Sequence, residues 1–180
     1  MYILSQIFVV LSDILYIASM LTKKKYWLLI LSITNSALFG MHYFCLGEFT
    51  ASSTIALSII YLIIIFFMDK NNKEKYNYIP SLIFIGLTII LTILINDFSF
   101  GGTTAILSMF GIIAVYIAAI FKNLVIVKSF YLLGNILNFI IMIMIKSWFG
   151  ASLSIIIMIS AVIGIFQSAK LLKTKNQKTK

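Results

Sequence analysis

NSALFGMHYFCLGEFTAS, residues 35–52, closes one apolar run, turns at the polar pair Gly47-Glu48 and opens the next run. One hundred residues later the chain reads NILNFIIMIMIKSWFGAS, residues 135–152. Laid over each other without a gap, the two stretches share Asn35/Asn135, Phe39/Phe139, Phe49/Phe149, Ala51/Ala151 and Ser52/Ser152. The same offset carries outward to Tyr16-Ile17-Ala18 against Tyr116-Ile117-Ala118, and to Ile63, Ile65 and Phe66 against Ile163, Ile165 and Phe166. Apolar sequence supplies some matches by chance, but an ungapped register through both halves predicts an internal duplication.

Composition places that duplication in a membrane. Of 180 residues, 62% are hydrophobic and 11% charged, and mean hydropathy is +1.10; soluble domains carry about 25% charged residues. Apolar runs near 20 residues recur, each long enough to cross about 30 Å of hydrocarbon as a helix. Backbone polar groups in lipid must be satisfied within the segment, which predicts helices; the runs are continuous rather than alternating, which speaks against a β-barrel. The net charge of +9 arises from 14 lysines against five acids. Because these lysines lie mostly in loops and the tail, orientation and anionic lipid explain them, and no nucleic-acid partner is expected. A single cysteine, Cys45, excludes an internal disulfide. The first 20 residues carry no early positive charge and are interrupted by Asp13, so a cleaved signal peptide is not expected.

Seven segments follow: about 3–22, 26–46, 50–68, 79–95, 103–121, 124–145 and 149–169. The stretch DKNNKEKYNY, residues 69–78, is the long hydrophilic loop, Pro80 falls in the first turn of the fourth segment, and Gly101-Gly102 reads as a turn before the fifth. With alternating sides, Lys23 to Lys25, Lys70, Lys73, Lys75, Lys122 and the tail lysines all fall on one face, leaving only Lys146 opposite and Lys128 within the sixth segment. That bias marks the cytoplasmic face, with the amino terminus outside and the carboxyl terminus inside. The fold expected is all-α and polytopic, seven transmembrane helices in a 3+1+3 parallel repeat. Residues 1–68 form one three-helix bundle, 69–101 a cytoplasmic loop and linker helix, 102–169 the second bundle, and 170–180 a basic cytoplasmic tail on anionic lipid.

A 3+1+3 repeat resembles the SWEET, PQ-loop and PnuC-type transporter superfamily. More narrowly, Gln6 early in the first helix and His42-Tyr43-Phe44-Cys45-Leu46-Gly47 are similar to the YgjV family of bacterial inner-membrane proteins, whose pattern is His-aromatic-Phe-x-Leu-Gly before the second hinge. The small-residue start of the third segment also fits. This resemblance implies a bacterial inner-membrane location and the SWEET-like fold. The chain departs from the pattern at Ser58 and Tyr61, where the family often has Asn and Arg, and it lacks the PQ dipeptide. Its one proline, Pro80, is in the linker, so Gly40, Gly111 and Gly134 are the places where helices would bend.

Several residues could carry chemistry. Asp13 lies mid-segment, where an ionised acid costs about 2.5–3.5 kcal/mol and should face the interior or water. It reads as a coupling or solute-contacting carboxylate, or as a structural acid paired with Lys128 or bonded to Ser or Tyr neighbours. Asn35 and Asn135 are equivalent in the two copies, with Asn138 one turn from Asn135. Amides both donate and accept, which suits a polar solute at a pseudo-twofold interface and equally suits glue between helices. Tyr16 and Tyr116 fit either reading. His42 is a candidate outer gate with Gln6 as its partner, or a hairpin cap. Trp27, Trp148, Tyr26 and Tyr43 suit interface anchoring.

No nucleotide loop, catalytic triad, zinc spacing or paired-carboxylate site is present, so no enzyme activity, metal or cofactor is expected. The sequence therefore points to a transporter or facilitator of a small polar solute, with Asn35, Asn135 and Asn138 contacting it and Asp13 setting coupling. The rival is a non-transporting scaffold that binds a partner or forms a homo-oligomer.

Overall fold

The computed structural model describes residues 2–46, 49–95, 100–144, 146 and 148–178. Among them the chain is all helix and turn. The helices are α1 (Tyr2–Leu21), α2 (Lys25–Leu46), α3 (Phe49–Lys70), α4 (Tyr78–Ile95), α5 (Phe100–Ile120), α6 (Leu124–Met144) and α7 (Trp148–Lys178), with one 3-10 turn at Glu74–Tyr76. Among the described residues six helices carry spans long and apolar enough to cross a bilayer, and α5 is apolar over Ile106–Ile120. The chain is thus a polytopic membrane protein. The hinge at Gly47-Glu48 and the pair Asn96-Asp97 lie outside the described residues.

Helix ends follow local chemistry. The chain leaves α3 through Asn72, which takes the left-handed conformation (φ 58°) that Asn tolerates. Lys73 N reaches back to Met68 O (2.8 Å) and Asn72 N to Asp69 O (3.1 Å), satisfying carbonyls the helix end would leave bare. Pro80 sits in the first turn of α4, where its missing N–H removes no helical bond. Two expectations change. Gly101-Gly102 opens α5 rather than forming a turn. The basic tail does not end the last helix: α7 runs to Lys178, because lysine stops a membrane span but is a good helix former.

Successive helices pack pairwise in chain order, α7 returns to α1, and α3 touches α5 beside the intervening α4. Under the 100-residue offset α2 and α6 begin at 25 and 124, and α3 and α7 at 49 and 148. The glycines stand where helices meet. Gly111 faces Gly134 so closely that a Cβ on Gly134 would lie 3.3 Å from the Gly111 carbonyl oxygen, and α5 and α6 run unbroken through them. At Gly164 a Cβ would run into the Met20 carbonyl, so this glycine lets α7 lie directly on α1.

Burial is unequal between the two ends. The large buried apolar side chains Met20, Leu28, Leu29, Tyr61, Leu62, Ile65, Phe84, Tyr116, Val127 and Tyr131 lie in the half that carries the lysine loops. Toward the other end the described buried positions are largely small or polar, including Ser5, His42, Thr54, Thr92 and Ser154.

Candidate functional site

Polar side chains in apolar helices need partners, since an amide or hydroxyl left bare in lipid costs free energy. In this chain those partners converge where α1, α2 and α6 meet. Ser12 and Tyr16 stand one turn apart on α1. Ser12 Oγ donates to Asn35 Oδ1 on α2 at 2.6 Å. Tyr16 Oη accepts from Asn135 Nδ2 on α6 at 2.5 Å and donates to the Tyr131 carbonyl at 3.4 Å. The second hydrogen of Asn135 Nδ2 goes to the Tyr131 carbonyl of its own helix, 2.8 Å away. These bonds leave Asn35 Nδ2 and Asn135 Oδ1 uncommitted among the described residues, one donor and one acceptor. The buried Ser32 Oγ lies beside the Tyr131 phenol.

Below this seam, toward the lysine end, aromatic rings close the interior. The Tyr16 and Tyr131 ring centroids are 6.1 Å apart. Tyr61 and Tyr116 are 4.3 Å apart, and Phe84 packs on both. Tyr61 Oη lies 2.8 Å from the Tyr116 carbonyl and 2.7 Å from Ser81 Oγ. Thr88 Oγ1 donates to Tyr116 Oη at 3.3 Å.

At the lysine end itself, charge is used in pairs. Lys25 and Asp69 form an ion pair at 2.9 Å, Asn77 Nδ2 donates to Asp69 Oδ1 at 2.7 Å, and Lys122 meets Glu74 at 2.6 Å. Lys25 Nζ (3.3 Å) and Asn77 Nδ2 (3.1 Å) both reach the Ala119 carbonyl. That carbonyl is in the last turn of α5, where helical acceptors are bare and the helix dipole is negative, so the two donors cap α5 from α2 and the loop before α4. Lys128, fully buried, gives its ammonium to Thr22 O (2.8 Å), Ser168 Oγ (2.9 Å) and Gly164 O (3.2 Å), joining α6 to α7 and the end of α1.

The structure gathers Asn35, Asn135 and Tyr16 into one seam. Tyr116 belongs to the aromatic closure with α3 and α4. Asp13 and Asn138 are half-buried and make no hydrogen bond or ion pair among the described residues. Two pairings expected from sequence do not form. Lys128 is held by neutral oxygens at the lysine end, away from Asp13. His42 meets Ser5 rather than Gln6, because on α1 the neighbouring residue points about 100° away. His42 Nδ1 lies 2.8 Å from Ser5 Oγ and 2.9 Å from Ser5 O; the carbonyl only accepts, so Nδ1 carries a proton. Gln6 remains on a different, half-buried face of α1.

Ser12, Ser32, Tyr131, Lys25, Asp69 and Asn77 were not singled out by sequence reasoning. For Ser12 the available signal is its one-turn spacing from Tyr16. For Asn77 it is an amide next to a helix start. Asp13, Lys128 and His42 are spread along the chain's depth and form no common centre. Among the described residues no three His, Cys, Asp or Glu side chains come together as a metal site. A shallow apolar depression of about 300 Å³ is lined by Ile155, Met158, Ile159, Val162 and Ile163, all on α7, and so lies apart from the seam.

The family model Imp-YgjV, bacterial inner membrane protein, matches residues 3–171. No curated protein and no solved structure matches the chain.

Proposed function

Because the chain belongs to the Imp-YgjV family of bacterial inner membrane proteins, we propose that it carries a small polar solute across that membrane, without enzymatic chemistry. The observation that carries this reading is the pair of duplicate-related amides, Asn35 and Asn135. Each is anchored to α1 by one function, and together they leave a donor and an acceptor for a solute. In this reading the chain is a SWEET-like carrier of 3+1+3 design. Helices α1–α3 and α5–α7 are the two moving bundles, meeting at α1–α7 and at α3–α5 with α4 between them. All seven helices cross, the amino terminus is outside and the basic carboxyl end lies on anionic lipid at the cytoplasmic face. The tyrosine closure and the capped end of α5 then make this state closed to the cytoplasm, and the outer half, where the described buried positions are largely small or polar, is its open side.

Uptake into proteoliposomes, measured across sugars, nucleosides, vitamins and amines, tests the proposal. One class should enter at a rate that Asn35→Ala with Asn135→Ala lowers at least about tenfold, equivalent to about 1.4 kcal/mol. Impermeability to every class would defeat it. A second reading, a scaffold that binds a partner or its own copy, is favoured by one feature: Asn135 is bonded to its own helix through the Tyr131 carbonyl. On that reading the double substitution changes stability alone.

A further inference from the structure

Charge bookkeeping at the seam identifies the class of solute. Of the acids among the described residues, Asp69 is paired with Lys25 and Glu74 with Lys122. Asp13 has no such partner. The buried cation that could have served it, Lys128, is committed to Thr22, Gly164 and Ser168. Among the described residues of this chain of net charge +9, Asp13 is thus the acid without a countercharge, and it lies within a membrane span, where a bare ionised acid is expensive and marks a functional position.

Its position follows from its helix. Asp13 lies on the α1 face that carries Tyr16 and Met20, three and seven residues on. Tyr16 bonds to α6 and Met20 lies against Gly164 of α7, so that face looks into the molecule. The lipid-facing side of α1 is the exposed series Leu4, Ile7, Val10, Leu11, Ile14 and Leu21, and Asp13 stands at the edge of the inward face, half-buried. Helices α1 and α6 run in opposite directions, and Tyr16 is bonded to Asn135. Stepping one turn toward the outer end from each bonded residue reaches Asp13 on α1 and Asn138 on α6, both displaced by about 4.5 Å. Both are half-buried and unpartnered among the described residues. The Tyr16–Tyr131 ring pair lies on the lysine side of both, and aromatic faces attract cations.

We infer that Asp13, Asn138 and the Tyr16–Tyr131 pair together form the binding site for a solute bearing a positively charged amine, with Asp13 as its counter-ion. This inference rests on the transport reading for its purpose, but its binding chemistry can be tested separately. The amine places its charge against the Asp13 carboxylate and over the tyrosine rings. Its uncharged polar part reaches Asn138 and the free functions of Asn35 and Asn135.

The test is thermal unfolding of the full chain in detergent, with ethanolamine, choline and a panel of primary and quaternary amines set against uncharged isosteres at equal concentration. Amines should raise the midpoint by several degrees in the native protein and in Asp13→Glu, and should leave Asp13→Asn unmoved. Uncharged isosteres should do nothing in any of the three. Equal shifts by charged and uncharged compounds, unchanged amine shifts in Asp13→Asn, or no shift with any amine would each overturn the assignment. Proteoliposome uptake of the stabilising amine then separates the two claims. Binding with uptake that grows with an inside-negative potential supports both, whereas binding without uptake upholds the site and removes the transporter. Proton-driven uptake of an uncharged solute that Asp13→Asn abolishes would overturn the amine assignment and keep the transporter.

Discussion

A glycine and a lysine show how few atoms hold the end of α1 in place. Gly164 has no side chain, and that absence lets the Met20 carbonyl and the Lys128 ammonium occupy the space a Cβ would fill. Gly164→Ala must push α7 away from α1 and disturb the ammonium, whose acceptors include the carbonyl of the same residue. A loss of about 1–3 kcal/mol is expected, the usual cost of overfilling a packed contact, read as a lower unfolding midpoint in detergent. At Gly86, where a Cβ meets nothing within 4 Å, the same change should be neutral or slightly stabilising. A smaller effect is expected at the outer end. Ser5→Ala removes the hydroxyl beside His42 but spares the Ser5 carbonyl that receives the Nδ1 proton, so about 0.6 kcal/mol, typical for a hydrogen bond between membrane helices, should be lost.

At the scale of elements, the end of α5 is where helices from the first half of the chain grip the second. Lys25 and Asn77 converge on one carbonyl while Asp69 holds both donors. Removing one member of the ion pair strands the other in a largely buried place, while removing both leaves an apolar contact. Lys25→Met and Asp69→Leu should therefore each destabilise by about 2 kcal/mol, and the double variant by clearly less than their sum. A thermodynamic cycle on detergent-solubilised protein measures this, and strict additivity would show that the pair is only superficial. If the same cluster holds the cytoplasmic side shut, Lys25→Met should also speed thiol labelling of Ser81→Cys from that side, with Cys45 replaced by serine.

Helix boundaries were readable because apolar runs stop at Lys, Asn or Gly, and six of seven fell within two or three residues. The end of α7 was not readable from hydropathy, which tracks the bilayer, whereas the hydrogen-bonded helix continues in lysines that favour it. The seam was half readable. Asn35, Asn135 and Tyr16 stand out against apolar neighbours. Ser12 and Ser32 do not, because serine is ordinary in membrane helices, where its hydroxyl can bond a carbonyl of its own turn. The Lys25–Asp69–Asn77 cluster joins the start of α2, the end of α3 and the residue before α4, and no local pattern reports which helix ends meet.

For the whole molecule, the sidedness of the loops is the property on which the carrier reading stands. In a background with Cys45 replaced by serine, Lys73→Cys, Lys122→Cys and Lys173→Cys should react with an impermeant thiol reagent from the cytoplasmic side, and Lys146→Cys from the other. Lys122 and Lys146 reacting from the same side would mean that α6 does not cross, and the two bundles would lose their common direction. Fluorescent lipid vesicles offer a parallel check. Loss of residues 170–180 should weaken attachment of anionic lipid around the protein, and added salt should mimic that loss.

The reach of α7 has a mechanical consequence. Its 31 residues measure about 46 Å, against about 30 Å of hydrocarbon, so a helix that crosses once has length to spare for its basic end. Gly164, pressed on Met20, is a natural fulcrum for that helix, and Lys178 lies about 21 Å beyond it. A tilt of about 10° at the fulcrum would sweep the tip through about 4 Å. A spin label there would act as a pointer, magnifying small rearrangements among buried side chains into a readable displacement.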